Sequence, residues 1–185
     1  MKTGRIGKLI FILLFPLICS GCSSSPQDIQ AVIENYYTTN DKNNKGQLHI
    51  LNVYEKDHRT YVLAEKYRGD GHLPIDLFII DEGEAVFVSS GDSVMSPCFS
   101  LYEVTLDGKT IVYGDYKDTK WVASSDQVID VNLKGIEISF QDNTVLRENF
   151  TQKNSFLFVI DTETEISDAK VYDEAGIVST LSDLR

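Results

Sequence analysis

From residue 26 onward the apolar positions of this chain follow two periods. Ile29, Val32, Ile33 and Tyr36 recur at the i, i+3, i+4, i+7 spacing of one helical face. Ser25 is placed to cap that helix, Pro26 suits its first turn, and Asp28 sits where the helix dipole favours negative charge. The polar run DKNNKG, residues 41–46, ends it. From residue 47 the pattern becomes alternating. It predicts strands over 48–55 and 60–67 around KDHR, over 74–80 and 84–89 around DEG, and over 98–106 and 110–116 around DGK. Asp107 followed by Gly108 is a strong short-range hairpin signal. RGDGH, residues 68–72, is a further turn.

These six strands are expected to form one antiparallel sheet with the helix on one face. Six more short runs follow, over 127–133, 135–140, 144–150, 155–160, 166–172 and 176–181, punctuated by QDN, QKN, DTETE and DEAG. Short strands bounded by turns point to a sandwich or small barrel. The expected class is therefore α+β, mostly β. One N-terminal helix packs on an antiparallel sheet over residues 26–120, and a small β-sandwich-like lobe follows over 121–185. A soft boundary falls near 115–125, where Trp121 is placed to plug the junction. One continuous domain is the alternative.

The first 22 residues, MKTGRIGKLIFILLFPLICSGC, follow neither period. Lys2, Arg5 and Lys8 precede an apolar run from Leu9 to Cys19, which Ser20, Gly21 and Cys22 follow. That is the layout of a signal peptide. The run covers about 16 Å as a helix, short of the roughly 18 to 20 residues a span needs, and Pro16 interrupts it. Ile18, Cys19, Ser20, Gly21 and Cys22 resemble the lipobox of bacterial lipoproteins, departing from it at Cys19, where Leu is usual. The resemblance implies that residues 1–21 are removed, that the Cys22 thiol carries a diacylglyceryl group, and that the new amino terminus is open to acylation. The membrane is then a partner through covalent lipid on Cys22, with residues 22–25 as a short tether. Two or three acyl chains hold a protein at a bilayer durably, whereas one holds it reversibly.

Charge agrees with a tethered body that does not lie on the membrane. The chain carries 17 basic and 28 acidic residues; removing residues 1–21 takes three of the basic ones and no acidic ones, leaving −14. Such a surface repels nucleic acid and anionic lipid head groups alike. With Cys19 removed and Cys22 lipidated, Cys98 has no partner for a disulfide, and the fold is expected to stand on its hydrophobic core with Cys98 inside it.

A second, looser resemblance covers most of the remaining chain. HILNVYEKDHRTYVLAEKY, DLFIID, IVYGDY, FLFVID and AKVYDEAGIV, in that order, resemble uncharacterised membrane-anchored or secreted proteins of Gram-positive spore-forming bacteria. In that pattern a sheet segment leads into Gly114, and a β module closes on the hairpin of Tyr172, Asp173 and Gly176. The resemblance implies no activity. By turn chemistry alone, Asp173 and Gly176 are a good turn.

Candidate chemistry is sparse. Gly91, Asp92 and Ser93 resemble the nucleophile block of the Gly-Asp-Ser hydrolases, but a serine nucleophile needs a base within reach. That family's late Asp-x-x-His is missing, and His49, His58 and His72 all precede Ser93. His49 and His58 lie in a neighbouring strand and turn, too few for zinc. Asp161, Glu163 and Glu165 alternate so that all three share one side, an arrangement open to calcium or to a charged edge that discourages strand pairing. Nine tyrosines raise the idea of a tyrosine-lined groove. The reading is a non-enzymatic, lipid-anchored, extracytoplasmic interaction module of the cell envelope, with no cofactor, metal or nucleic acid, and with an envelope protein or peptide as partner. The alternatives are an envelope serine hydrolase using Ser93 and a purely structural envelope protein.

Overall fold

The computed structural model describes residues 26–40, 46–67, 74–93, 98–122, 124–151 and 154–184. Helix α1 (Pro26–Asn40) precedes a meander of four antiparallel strands, β1 (Leu48–Lys56), β2 (Arg59–Lys66), β3 (Pro74–Asp81) and β4 (Glu84–Asp92). Tight turns close the hairpins. Asp57 and His58 between β1 and β2, and Glu82 and Gly83 between β3 and β4, all take positive φ, as two-residue loops matched to strand twist require. The mostly β, α+β architecture expected from patterning is present.

Alternation sets the layers. On β2 and β3, Val62, Ala64, Phe78 and Ile80 face α1 and pack with Ile29, Ile33, Tyr37 and Leu48. The buried stripe of the helix thus runs through 29, 33 and 37, while Val32 and Tyr36 lie at its margin. Tyr37 is drawn inward because its hydroxyl bonds the fully buried carboxylate of Asp76, which also accepts from Ser90 Oγ (2.5 Å). The Lys66 ammonium lies 4.6 Å from the centre of the Tyr37 ring.

The opposite face of this sheet, with Tyr61, Leu63, Ile75, Leu77 and Ile79, packs on a second sheet. That sheet has three strands, β5 (Tyr102–Leu106), β6 (Lys109–Asp115) and β11 (Ser155–Ile160), in the order β11-β6-β5. Here the expectation of six strands in one sheet is corrected: four strands back the helix, and β5 and β6 join β11 in a separate layer. Close contact replaces a β4–β5 ladder. A Cβ at Gly91 would lie 2.3 Å from the Tyr102 ring, so the ring packs directly on the backbone of β4.

The third sheet, in the order β10-β9-β12-β13, comprises β9 (Gly135–Phe140), β10 (Val145–Asn149), β12 (Ile166–Tyr172) and β13 (Ile177–Thr180), and a 3-10 turn, Leu181–Leu184, follows. It covers the other face of the three-stranded sheet, where Val112, Phe156, Ile136, Ile138, Phe140 and Val171 form one core. The layers therefore run helix, four strands, three strands, four strands. β11 lies beyond residue 121 yet pairs along its whole length with β6, so the central sheet draws strands from both sides of that position. The run expected over 127–133 is a strand only over β8 (Gln127–Asp130), and it pairs with a short strand that patterning did not indicate, β7 (Thr119–Val122), the two forming a ribbon of their own. Trp121 is 47 % exposed on that ribbon and bonds Asp126, so it plugs no junction.

Gly114 marks how tightly the central sheet is held. A Cβ there would lie 2.1 Å from the Ser100 carbonyl oxygen and 2.7 Å from Phe156 Cζ. Gly114→Ala is expected to destabilise the chain by about 1 to 3 kcal/mol, the usual cost of overpacking a filled core. Thermal denaturation read by circular dichroism would show it, and an unchanged midpoint would contradict the packing described.

Candidate functional site

The Gly91–Ser93 stretch closes β4, where the chain leaves the first sheet for the second. The Tyr102 hydroxyl accepts from the Asp92 amide and donates to the Asp92 carbonyl, both at 2.9 Å. Ser93 Oγ donates to Asp115 (2.6 Å), and Ser100 Oγ donates to the other oxygen of the same carboxylate. Tyr113 donates to Ser89 Oγ (2.9 Å). Burial pushes the Tyr102 and Tyr113 phenols above their ordinary range, so both stay protonated donors. These bonds stitch β4 to β5 and β6 where no ladder does.

No imidazole enters this cluster among the described residues. His49 lies on β1, the far edge of a sheet whose other edge is β4, roughly 14 Å away over three strand spacings. His58 sits in the β1–β2 turn, at the end of the sheet opposite Asp92. His72 lies outside the described residues, as does Cys22. His49 and His58 are also far from each other. β1 runs between them, separating them by upward of roughly 20 Å.

Of the three alternating acids, Glu163 and Glu165 line one shallow pocket while Asp161 turns to two lysines. Asp161 bonds Lys56 (2.8 Å) and Lys109 (3.1 Å), whereas Glu165 accepts from Gln141 (2.7 Å). Among the described residues no cluster of His, Cys, Asp and Glu is arranged to hold a metal. The tyrosines do not line a groove together: Tyr37, Tyr61, Tyr113 and Tyr116 are buried in the cores. Cys98 is fully buried, and burial pushes its thiol pKa up. Asp173 accepts from the amides of Ala175 and Gly176 and makes the turn that its sequence promised.

A site that residue patterns did not indicate is a groove of about 330 Å³ where edge strands of the three larger sheets, β1, β11 and β10, come together. Asn52 and Tyr54 form one wall, Leu146, Glu148 and Phe150 the other, and β11 the floor. Main-chain direction on β11 is fixed by its neighbour. The Tyr116 amide donates to the Asn154 carbonyl (3.1 Å), so residues 154, 156, 158 and 160 turn their polar groups to β6, and 155, 157 and 159 turn theirs outward. Lys56 Nζ bonds the Val159 carbonyl (3.1 Å), and Ser155 Oγ bonds the Leu51 carbonyl (3.0 Å). Between those two ties, the Leu157 N–H and C=O make no hydrogen bond among the described residues. The one sequence signal was the nearly unbroken apolar run of 155–160, which marks a strand covered on both faces but does not say which of its edges stays open.

No family model, curated protein or solved structure matches this chain.

Charge closes one end of the groove. Lys109 bridges Asp57 and Asp161, Lys56 joins Asp161, and Arg59 bonds Asp107. The two carboxylates raise the Lys109 pKa to about 12, and the two lysines hold Asp161 below the usual carboxylate range. The signs follow from linkage. The Lys109 contribution is present below its ordinary value of about 10.4 and is lost as pH rises toward 12. The Asp161 contribution is present above about 3.9 and is lost as pH falls below it. Asp161→Asn is expected to lower the denaturation midpoint near neutral pH and to flatten its acid slope, as a pH series of urea titrations would register; parallel profiles for the two chains would refute the network.

Proposed function

We propose that this chain is a lipid-anchored, extracytoplasmic interaction module of the cell envelope, fixed to the membrane by acyl chains on Cys22 and without catalytic activity. The observation that carries this reading is the order of residues 1–22: cations, a short apolar run, then Ser20, Gly21 and Cys22. Further features accompany it. Helix α1 begins at Pro26, so a body that starts there would sit close to a lipid on Cys22. Among the described residues no helix is long and apolar enough to cross a membrane. The charge of −11 on the whole chain favours a body held off an anionic surface. The looser resemblance to envelope proteins of Gram-positive spore formers points to the same compartment.

The non-enzymatic part of the reading is supported by the Ser93 hydroxyl, which donates to a carboxylate and so is held as a structural donor. Tyr113, Ser89, Ser100 and Asp115 form the same kind of cross-strand bond around it.

Two measurements test the reading. Cys22→Ser should move the chain from the detergent phase to the aqueous phase in a cloud-point partition and abolish incorporation of labelled fatty acid; a mutant that still partitions with detergent and carries label would sink the anchor. A fluorophosphonate probe, which labels activated serines, should leave Ser93 unmodified; stoichiometric labelling there, lost in Ser93→Ala, would return the hydrolase.

A further inference from the structure

We propose that the groove along β11 takes an extended segment of a partner polypeptide as a fourth strand of the central sheet, an inference that rests on the interaction-module reading and specifies how the module binds. The main chain makes the case first. An open strand edge presents donors and acceptors at the spacing another strand requires, and leaving such groups unpaired at the floor of a groove is costly. Leu157 is that position: its side chain is 4 % exposed in the core facing the first sheet, while its N–H and C=O point outward and make no hydrogen bond among the described residues.

Layer geometry makes the case second. The sheets on either side have four strands and the central one has three, with β11 at its edge between β1 and β10. A strand laid along β11 would bring the middle layer to the same count. Its side chains would alternate between the wall of Asn52 and Tyr54 and the wall of Leu146, Glu148 and Phe150.

The walls define the chemistry of the segment. Leu146, Phe150 and Tyr54 favour apolar side chains at alternate positions. Among the described residues Glu148 is the one charged residue in the lining, on a chain whose net charge is −11, so the segment carries Lys or Arg opposite Glu148 and is not acidic. A second copy of the chain fits poorly. β11 lies at the groove floor while Val53 and Val145 on the flanking edges are exposed, so two copies set edge to edge would meet at their rims before their β11 strands could pair.

The test uses the full lipidated chain in detergent and a capped six-residue peptide of alternating Val and Lys. Two controls accompany it: the same peptide with alternate amides N-methylated, and a version with Glu for Lys. The expected result is that the Val-Lys peptide slows hydrogen exchange at the Leu157 amide about tenfold, as a newly formed ladder bond would. The N-methylated and acidic peptides should not, and Glu148→Lys should weaken binding of the Val-Lys peptide about tenfold, the scale of a single interfacial charge. The proposal is overturned if the N-methylated peptide binds equally well, or if no peptide binds at millimolar concentration. It is overturned equally if the Leu157 amide is already protected in concentrated peptide-free chain, which would put a second copy in the groove. A chain that fails here but still loses its lipid with Cys22→Ser keeps the anchor and loses only this mode of binding.

Discussion

The ladder between β6 and β11 is the constraint on which the other layers depend. Gly114 and Phe156 pair across it although roughly forty residues separate them along the chain, and the two strands are covered on both faces. Ile111, Tyr113, Leu157 and Val159 point to the first sheet, and Val112 and Phe156 to the third. Removing this pairing would leave each outer sheet with an apolar face and nothing to cover it. Each large side chain buried here contributes roughly 1.5 to 3 kcal/mol of transfer free energy, so the central sheet gathers the two largest apolar clusters into one body.

Polar groups do the joining where strands do not. Tyr102, Ser93 and Tyr113 bond back to β4 or from its end across the step to the second sheet, while Lys56, Lys109 and Arg59 hold the hairpin turns of the first two sheets together. These bonds occupy the groups that looked chemically promising in the sequence. Ser93 and Asp115 hold each other, as do Asp161 and the two lysines. A hydroxyl or carboxylate engaged in this way fixes the angle between sheets, and each such bond contributes about 0.5 to 1.5 kcal/mol at most when neutral.

Local structure was largely legible because it is locally determined. The Asp107–Gly108 turn, the 135–140, 155–160 and 166–172 strands and the helix from residue 26 are encoded within a few residues of themselves. Which strands share a sheet was not. β5 and β6 follow β4 in the same alternating style, and the decisive fact, the Tyr102 ring lying on Gly91, is a contact between segments that no periodicity expresses. The apolar runs of 111–113 and 155–159 did hold a clue, since strands buried on both faces lose their alternation. The groove was invisible for a related reason: it is made of main-chain groups at an edge, and main-chain groups are the same in every sequence.

The distance along the chain between β6 and β11 bears on the order of events during synthesis. The middle layer cannot be finished until residues 155–160 have left the ribosome, by which point most of the polypeptide already exists as hairpins waiting for a common centre. Topologies dominated by such distant pairings assemble slowly. Until residues 155–160 emerge, the apolar faces of the outer sheets stay open to misassembly.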